Sequence, residues 1–216
     1  MIEIKEITKV YSRNGQEFKA LDQVSMVIRE GDFLAVSGKS GAGKSTLLYA
    51  IAGLIRPDSG TVLFNGRDVN SMSAREKEHY RSRQIGFVFQ QFHLMPWLNV
   101  YDNIRLGCNT REQAREIEAL LETCNLTDLR KKYPSELSVG EKQRTAFIRA
   151  IISKPALLLA DEPTGNLDAE NSATLMELIS GFNRNGGTVI VVSHHPEAGK
   201  YARQSVVIEK GRFVSN

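Results

Sequence analysis

The run Gly38-Lys39-Ser40-Gly41-Ala42-Gly43-Lys44-Ser45-Thr46 constrains this chain more than any other stretch. It fits G-x-x-x-x-G-K-[ST] and stands between the apolar run Phe33 to Ser37 and the apolar run Leu47 to Ile55. A glycine-rich loop between a strand and a helix can turn its backbone N–H groups inward around phosphate oxygens. The helix N-terminus behind it adds partial positive charge. In such a loop Lys44 bridges the phosphate oxygens and Ser45 offers its hydroxyl to Mg²⁺. The pattern predicts a strand–loop–helix unit over 33–55, with the helix beginning at Lys44, at the heart of an α/β fold.

The remaining punctuation is consistent with that core. Strand signals cover Ile2 to Val10, Val24 to Ile28 and Phe33 to Ser37, separated by Asp22-Gln23 and Glu30-Gly31-Asp32, an opening that is antiparallel in part. Arg56-Pro57-Asp58-Ser59-Gly60 ends the first helix, and Thr61 to Phe64 with Asn65-Gly66 reads as a strand and its turn. Ile85 to Phe89 is a buried strand. After it the pattern changes to helix, at Ala114 to Cys124 and Glu141 to Ser153. Strands return at Ala156 to Ala160, Thr188 to Ser193 and Ser205 to Glu209, with a helix over Asn171 to Asn183. The unbroken Leu157-Leu158-Leu159 suits a parallel strand covered on both faces.

The expected fold is therefore an α/β P-loop NTPase core with a mainly parallel sheet, an N-terminal antiparallel β subdomain and an inserted α-helical subdomain. The chain is read as a single domain, 1–216. Residues 1–89 and 154–216 form the nucleotide-binding core, and 90–153 form the helical part. Charge excludes more than it suggests: Lys plus Arg is 28, Asp plus Glu is 25, and a net +3 marks no nucleic-acid surface. Cys108 and Cys124 have no metal-ligand spacing, and no apolar run approaches the roughly 18 residues of a spanning helix.

A second chemical element closes the strand at 156–160. Asp161 and Glu162 follow it, and in P-loop enzymes the first such acid holds Mg²⁺, directly or through water. Glu162 is then the group that polarises the attacking water. The competing reading is a helix start, since acids ahead of Pro163 also cap helices.

Between the two elements lies Leu137-Ser138-Val139-Gly140-Glu141-Lys142-Gln143-Arg144, which resembles the LSGGQ signature of ABC ATPases. The resemblance extends over essentially the whole chain. Tyr11 matches the aromatic residue that stacks on adenine, Gln90 the Q-loop glutamine, Asn166-Leu167-Asp168 the D-loop, and His194 the switch histidine. His195, beside it, stands where the family often has Asp. Val139 and Glu141 depart from the signature; Ser138 and Gly140 keep its hydroxyl and a backbone N–H at a helix N-terminus.

The resemblance implies an ATPase using ATP and Mg²⁺. Glu162, His194 and Gln90 would act at the γ-phosphate, and Ser45, Gln90 and Asp161 around the metal. It also implies a head-to-tail homodimer enclosing two ATP molecules, in which Ser138, Gly140 and Glu141 complete the partner's site and Asp168 communicates across the interface. The stretch from Ile85 to Leu98 looks like the lipoprotein-releasing, macrolide-export and FtsE-type branch of the family. That branch would place the chain in the cytoplasm, peripheral on the inner face of the membrane through a polytopic permease. Phe92, Leu94, Met95 and Trp97 either receive that partner or pack the helical subdomain. The segment Gly107 to Asn125 is short for this branch, which predicts a trimmed helical subdomain. A soluble ABC ATPase of the iron–sulfur assembly type and a generic P-loop kinase are the alternatives.

Overall fold

Side chains of a strand alternate between its two faces, and in β3 (Phe33–Ser37) both faces are apolar. The computed structural model describes residues 1–13, 15–194 and 196–214. In it Leu34 and Val36 join one buried cluster while Phe33 and Ala35 join another. β7 (Leu157–Asp161) and β8 (Thr188–Ser193) are buried at every position and divide in the same way: Leu157 and Leu159 lie on one side, Leu158 and Ala160 on the other. Both faces of the sheet are thus covered, as the leucine run predicts.

Among the described residues that sheet has the order β10 (Arg212–Val214), β9 (Gln204–Glu209), β3, β8, β7, β6 (Ile85–Val88). It is parallel except where β10 returns along β9. One face packs with α1 (Lys44–Ile51) against an antiparallel sheet of order β2 (Gln16–Ile28), β1 (Ile2–Arg13), β4 (Ser59–Phe64), β5 (Arg67–Asp68). The other carries α3 (Val100–Arg105), α5 (Ile117–Thr123), α6 (Val139–Ile151) and α7 (Ala169–Arg184). Fully buried side chains such as Ile7, Leu21, Leu47 and Ile104 contribute roughly 1.5–3 kcal/mol each relative to exposure.

The departures from the sequence reading have local causes. β1 and β2 run on through a polar hairpin to Arg13 and Gln16, held by cross-strand pairing such as Tyr11 with Phe18 and not by apolar alternation. α1 stops at Ile51 and not at Ile55, because Gly53 adopts φ 64 and the N–H groups of Leu54 and Ile55 both turn back to the Tyr49 carbonyl (2.9 and 3.3 Å). α2 (Ala74–Gln84) carries no apolar stripe; a Ser73–Glu76 capping box starts it, and Tyr80, its buried residue, donates to the Ile51 carbonyl at 2.9 Å. The helix read at 114–124 is two, α4 (Arg111–Arg115) and α5, broken at Glu116.

Asp22 stitches the two sheets together. It is only 8% exposed; its N–H donates to the Gly211 carbonyl (2.8 Å), and its carboxylate accepts from Lys19 (2.9 Å) and Arg212 (2.7 Å). Those bonds, from Lys19 and then Arg212, outweigh burial and hold the carboxyl below its usual range. A depressed carboxylate stabilises the fold above its unfolded pKa of about 4, and the stabilisation disappears as pH falls through the folded value. Asp22→Asn should therefore lower the thermal midpoint at neutral pH, with the gap to wild type closing on acidification. Melts from pH 7 downward check this, and a gap that does not change with pH would count against it.

Candidate active site

The phosphate loop is shaped by one backbone position before its chemistry is considered. Gly43 has φ 108, and a Cβ there would lie 2.0 Å from the Ala20 carbonyl oxygen, so only glycine lets the loop pass under β2 into α1. No side chain caps α1 and its first turn holds no acid, so its orphan N–H groups and positive dipole end face the loop. Lys44, 6% exposed, donates to the carbonyls of Gly38 (2.8 Å) and Lys39 (3.2 Å). The loop thus curls around its own lysine.

Two neighbouring carboxylates at the end of β7 have opposite surroundings. Asp161 accepts from the Ser45 hydroxyl (2.8 Å) and the Tyr49 hydroxyl (3.1 Å). Burial nevertheless pushes its carboxyl up, with the charge of Glu162 adding to the effect. Tyr49 is driven to about 12, first by burial and then by the Asp161 charge. Glu162 follows in left-handed backbone, φ 46, its N–H tied to the Val192 carbonyl at 2.9 Å. Its Oε2 meets the backbone N–H (3.0 Å) and ring Nδ1 (2.8 Å) of His194, and its Oε1 lies 3.2 Å from the Lys44 ammonium. Burial alone would raise Glu162, but the His194 bonds and the Lys44 charge overcome it and keep it ionised below the usual glutamate range. One acid is therefore in want of positive charge, and the other is held ionised, a weak base for as long as Lys44 and His194 attend it.

These groups open onto a cavity of about 460 Å³. It is lined by Ser40, Gly41, Gly43, Lys44, Ser45 and Thr46 of the loop and α1, by Gln90, Glu162 and His194, and by Tyr11, Phe18 and Ala20 of the antiparallel sheet. Tyr11 and Phe18 form a continuous aromatic platform, with ring centroids 5.8 Å apart and planes inclined at 33°. Phe18 and Tyr49 went unread in the sequence. Phe18 becomes visible only once β1 is carried past Val10, so that it falls opposite Tyr11. Gly38 and Lys39 act through their carbonyls on Lys44. Ala42 is buried, and its carbonyl accepts from the Gly211 N–H (3.1 Å). Asp161 sits behind the cavity, on Ser45.

The other expected site residues are not in this cavity. Ser138 caps α6; its Oγ accepts from the Glu141 N–H (3.3 Å), and the Glu141 carboxylate turns back to the Ser138 N–H (2.7 Å). Val139 is the first residue of α6 and 43% exposed, so the substitution of the first signature glycine strains nothing. Gly140 abuts Asn171, and Asp168 caps α7. Phe92, Leu94 and Met95 are half-buried while Trp97 is 71% exposed. His195 lies outside the described residues.

The donor set fits a hard divalent cation accompanying a nucleotide. A hydroxyl (Ser45), a buried carboxylate pushed toward protonation (Asp161) and an amide (Gln90) would offer oxygen ligands, and phosphates would supply the rest. Among the described residues no cluster of three or more His, Cys, Asp or Glu forms a separate metal site.

The family model for ABC transporters matches residues 21–165. An uncharacterised ABC transporter ATP-binding protein of Bacillus subtilis, YknY, is 38% identical over 99% of this chain and 95% of its own length. The lipoprotein-releasing system ATP-binding protein LolD of Buchnera aphidicola is likewise 38% identical, over 97% and 94%. A dimeric, post-hydrolysis structure of the ATP-binding cassette MJ0796 bound to ADP and Pi superposes with a TM-score of 0.92 at 32% identity, covering 100% of this chain and 97% of that one.

Stacking on an aromatic side chain is worth roughly 1–3 kcal/mol. Phe18→Ala should therefore raise the dissociation constant of a purine nucleotide at least about fivefold, measured with a fluorescent analogue. Unchanged affinity would remove Phe18 from the platform.

Proposed function

We infer the working unit from a premise that fold and sequence supply together: the chain belongs to the ABC transporter family, and it is an ATP-binding, ATP-hydrolysing subunit. The observation that carries the mechanism is Glu162, ionised between Lys44 and His194 at the mouth of the phosphate loop. ATP laid along the loop places its adenine on Tyr11 and Phe18, and its β- and γ-phosphates against the backbone N–H groups and Lys44. The γ-phosphate and Glu162 then compete for the same ammonium. As Lys44 turns to phosphate, Glu162 loses a stabilising charge and becomes a stronger base. It accepts a proton from the water that attacks the γ-phosphorus as the bond to the β,γ-bridging oxygen breaks and ADP leaves with that electron pair, while His194 keeps its carboxylate oriented. Ser45, Asp161 and Gln90 would hold Mg²⁺, whose contribution when bound is to neutralise charge on the β- and γ-oxygens.

One chain has one phosphate loop and one signature helix, and Ser138 and Gly140 lie outside its own cavity. The reading that unites them is a head-to-tail homodimer, in which the α6 N-terminus of each protomer covers ATP on the other. The dimeric MJ0796 structure supports it.

The membrane-facing partner is a polytopic permease of the lipoprotein-release or export type, a reading supported by the names of relatives such as LolD. Its contact is the loop 92–97, whose backbone is pinned in two places. Arg149 of α6 donates to the carbonyls of Phe92 (2.7 Å) and His93 (2.6 Å), and the buried Asn103 grips both the N–H (2.7 Å) and the carbonyl (3.1 Å) of Met95. A pinned loop holds Trp97 out in solvent at low entropic cost, as an anchor for a partner requires. Phe92, Leu94 and Met95 serve both packing and contact. Among the described residues no helix is long and apolar enough to cross a membrane.

Glu162→Gln should bind Mg-ATP, hydrolyse it at least about a hundredfold more slowly, and accumulate as an ATP-bound dimer. Turnover like wild type would falsify the role of Glu162. Ser138→Arg should abolish ATP-driven dimerisation, followed by sedimentation, yet leave nucleotide binding by the monomer intact; loss of that binding would place Ser138 in the wrong site. Affinity purification of Glu162→Gln with Mg-ATP from detergent-solubilised membranes of its source, followed by mass spectrometry, should recover a polytopic membrane protein. Soluble partners alone would favour the assembly-scaffold class.

A further inference from the structure

The signature helix does more than present its N-terminus. One turn after Gly140, Gln143 is buried, and its Nε2 donates at 2.8 Å to the carbonyl of Pro163, the residue that follows Glu162. The next residue, Arg144, donates from Nη1 at 2.9 Å to Asn171 Oδ1. Asn171 in turn donates from Nδ2 to both carboxylate oxygens of Asp168 (3.0 and 2.9 Å) and from its backbone N–H to Oδ1 (2.8 Å). α6 thus grips the segment 162–168 at both ends.

Sterics tighten the second grip. A Cβ on Gly140 would lie 2.3 Å from Asn171 Oδ1, so the first turn of α6 is seated directly on that side chain. The gripped segment has little slack. Glu162 is held in left-handed backbone, Gly165 donates to the Glu162 carbonyl (3.1 Å), and Leu167 donates to that of Thr164 (3.1 Å). The grip is also kept at a cost: among the described residues Gln143 Oε1 and Arg144 Nε are buried without a hydrogen-bond partner, a condition that apolar side chains of the same size would avoid.

We propose that Gln143 and Asn171 are positioning residues that transmit displacement of the signature helix to the protomer's own Glu162. The inference rests on the dimer reading above. In that dimer Ser138 and Gly140 meet the partner's ATP, whereas Glu162 serves the ATP of its own chain. The clamp therefore joins the two sites through one protomer: engagement of the signature at one ATP sets the placement of the base at the other.

The test uses the full chain with Gln143→Met, Asn171→Leu and Asn171→Asp. Asn171→Asp can still accept from Arg144 but loses both Nδ2 bonds to Asp168 and sets a second carboxylate beside it, so the side-chain relay is cut there while the backbone N–H bond to Oδ1 remains. Four quantities are read: ATP affinity of the dilute monomer, ATP-driven dimerisation of each variant in the Glu162→Gln background, kcat, and the Hill coefficient for ATP. Monomer affinity and dimerisation should stay within about threefold of their parents while kcat falls about ten- to a hundredfold, the scale of small misplacements of reacting groups. A wild-type Hill coefficient above 1 should drop to about 1 in all three variants.

A kcat and Hill coefficient like wild type in folded variants would overturn the proposal, as would a non-cooperative wild type. Full turnover in Asn171→Asp would overturn the relay through Asp168. Should Gln143→Met fail to fold, the two Asn171 variants, on the partly exposed start of α7, decide the matter. If the Glu162→Gln parent itself does not dimerise on ATP, the dimer reading fails, and that result is separate from any difference among the variants.

Discussion

The ion pair between Lys44 and Glu162 joins the two halves of the site. Lys44 belongs to the strand–loop–helix unit and Glu162 to the end of β7, and at 3.2 Å each is the other's buried countercharge. Taking both from water is costly, and a pair alone would not recover that cost. Here the remaining valences are filled: two loop carbonyls accept from Lys44, and His194 donates to Glu162 by backbone and meets it by ring. The parallel order β3-β8-β7 makes this possible. It brings the ends of three strands side by side, with the loop following β3, His194 following β8 and the acids ending β7. Under the proposed mechanism the arrangement is also a switch in charge, since a phosphate in the loop would compete for the lysine that holds Glu162 ionised.

α6 distributes that local chemistry. Along its length it carries the capped signature, the Gln143 and Arg144 grips on the acid-bearing segment, and Arg149 on the loop that holds Trp97 outward. All of these contacts sit on one continuous helix of 13 residues, about 20 Å long. Asn166 adds a longer contact, 3.4 Å from its Nδ2 to the Gln90 carbonyl, between the same segment and the Q-loop.

How much of this could be read from the chain depends on which interactions leave a pattern. The phosphate loop, the leucine run of β7 and the apolar strand 188–193 are local or periodic signals, and each fixed an element close to its observed bounds. The ordered short motifs located Tyr11, Gln90 and His194, and all three line one cavity with Glu162. Features set by long-range pairing left no such pattern. The polar ends of β1 and β2 are strand because each is the other's partner, and Phe18 gains meaning only from Tyr11 across the hairpin. α2 buries little beyond Tyr80 and so lacks periodicity, although Ser73 and Glu76 spell its capping box. Gln143 and Asn171 read as ordinary polar helix residues until the fold sets one against Pro163 and the other against Arg144.

The signature itself shows why a departure in sequence need not be one in structure. A glycine can be required for its backbone freedom or for the absence of a Cβ, and the two requirements tolerate different replacements. Position 139 requires neither: it is the first residue of a helix with its side chain in solvent, where valine fits. Position 140 has helical backbone too, yet a Cβ there would lie 2.3 Å from Asn171 Oδ1 and push that amide off its bonds to Arg144 and Asp168. Glu141 fulfils a third condition, since its carboxylate is spent on the Ser138 N–H and so closes the capping box. That bond leaves Ser138 Oγ accepting from the Glu141 N–H, with the hydroxyl proton available to an incoming anion. What the altered signature preserves is thus the geometry of a helix start, and in the proposed dimer that geometry, more than the lettering of the motif, is what would meet a phosphate.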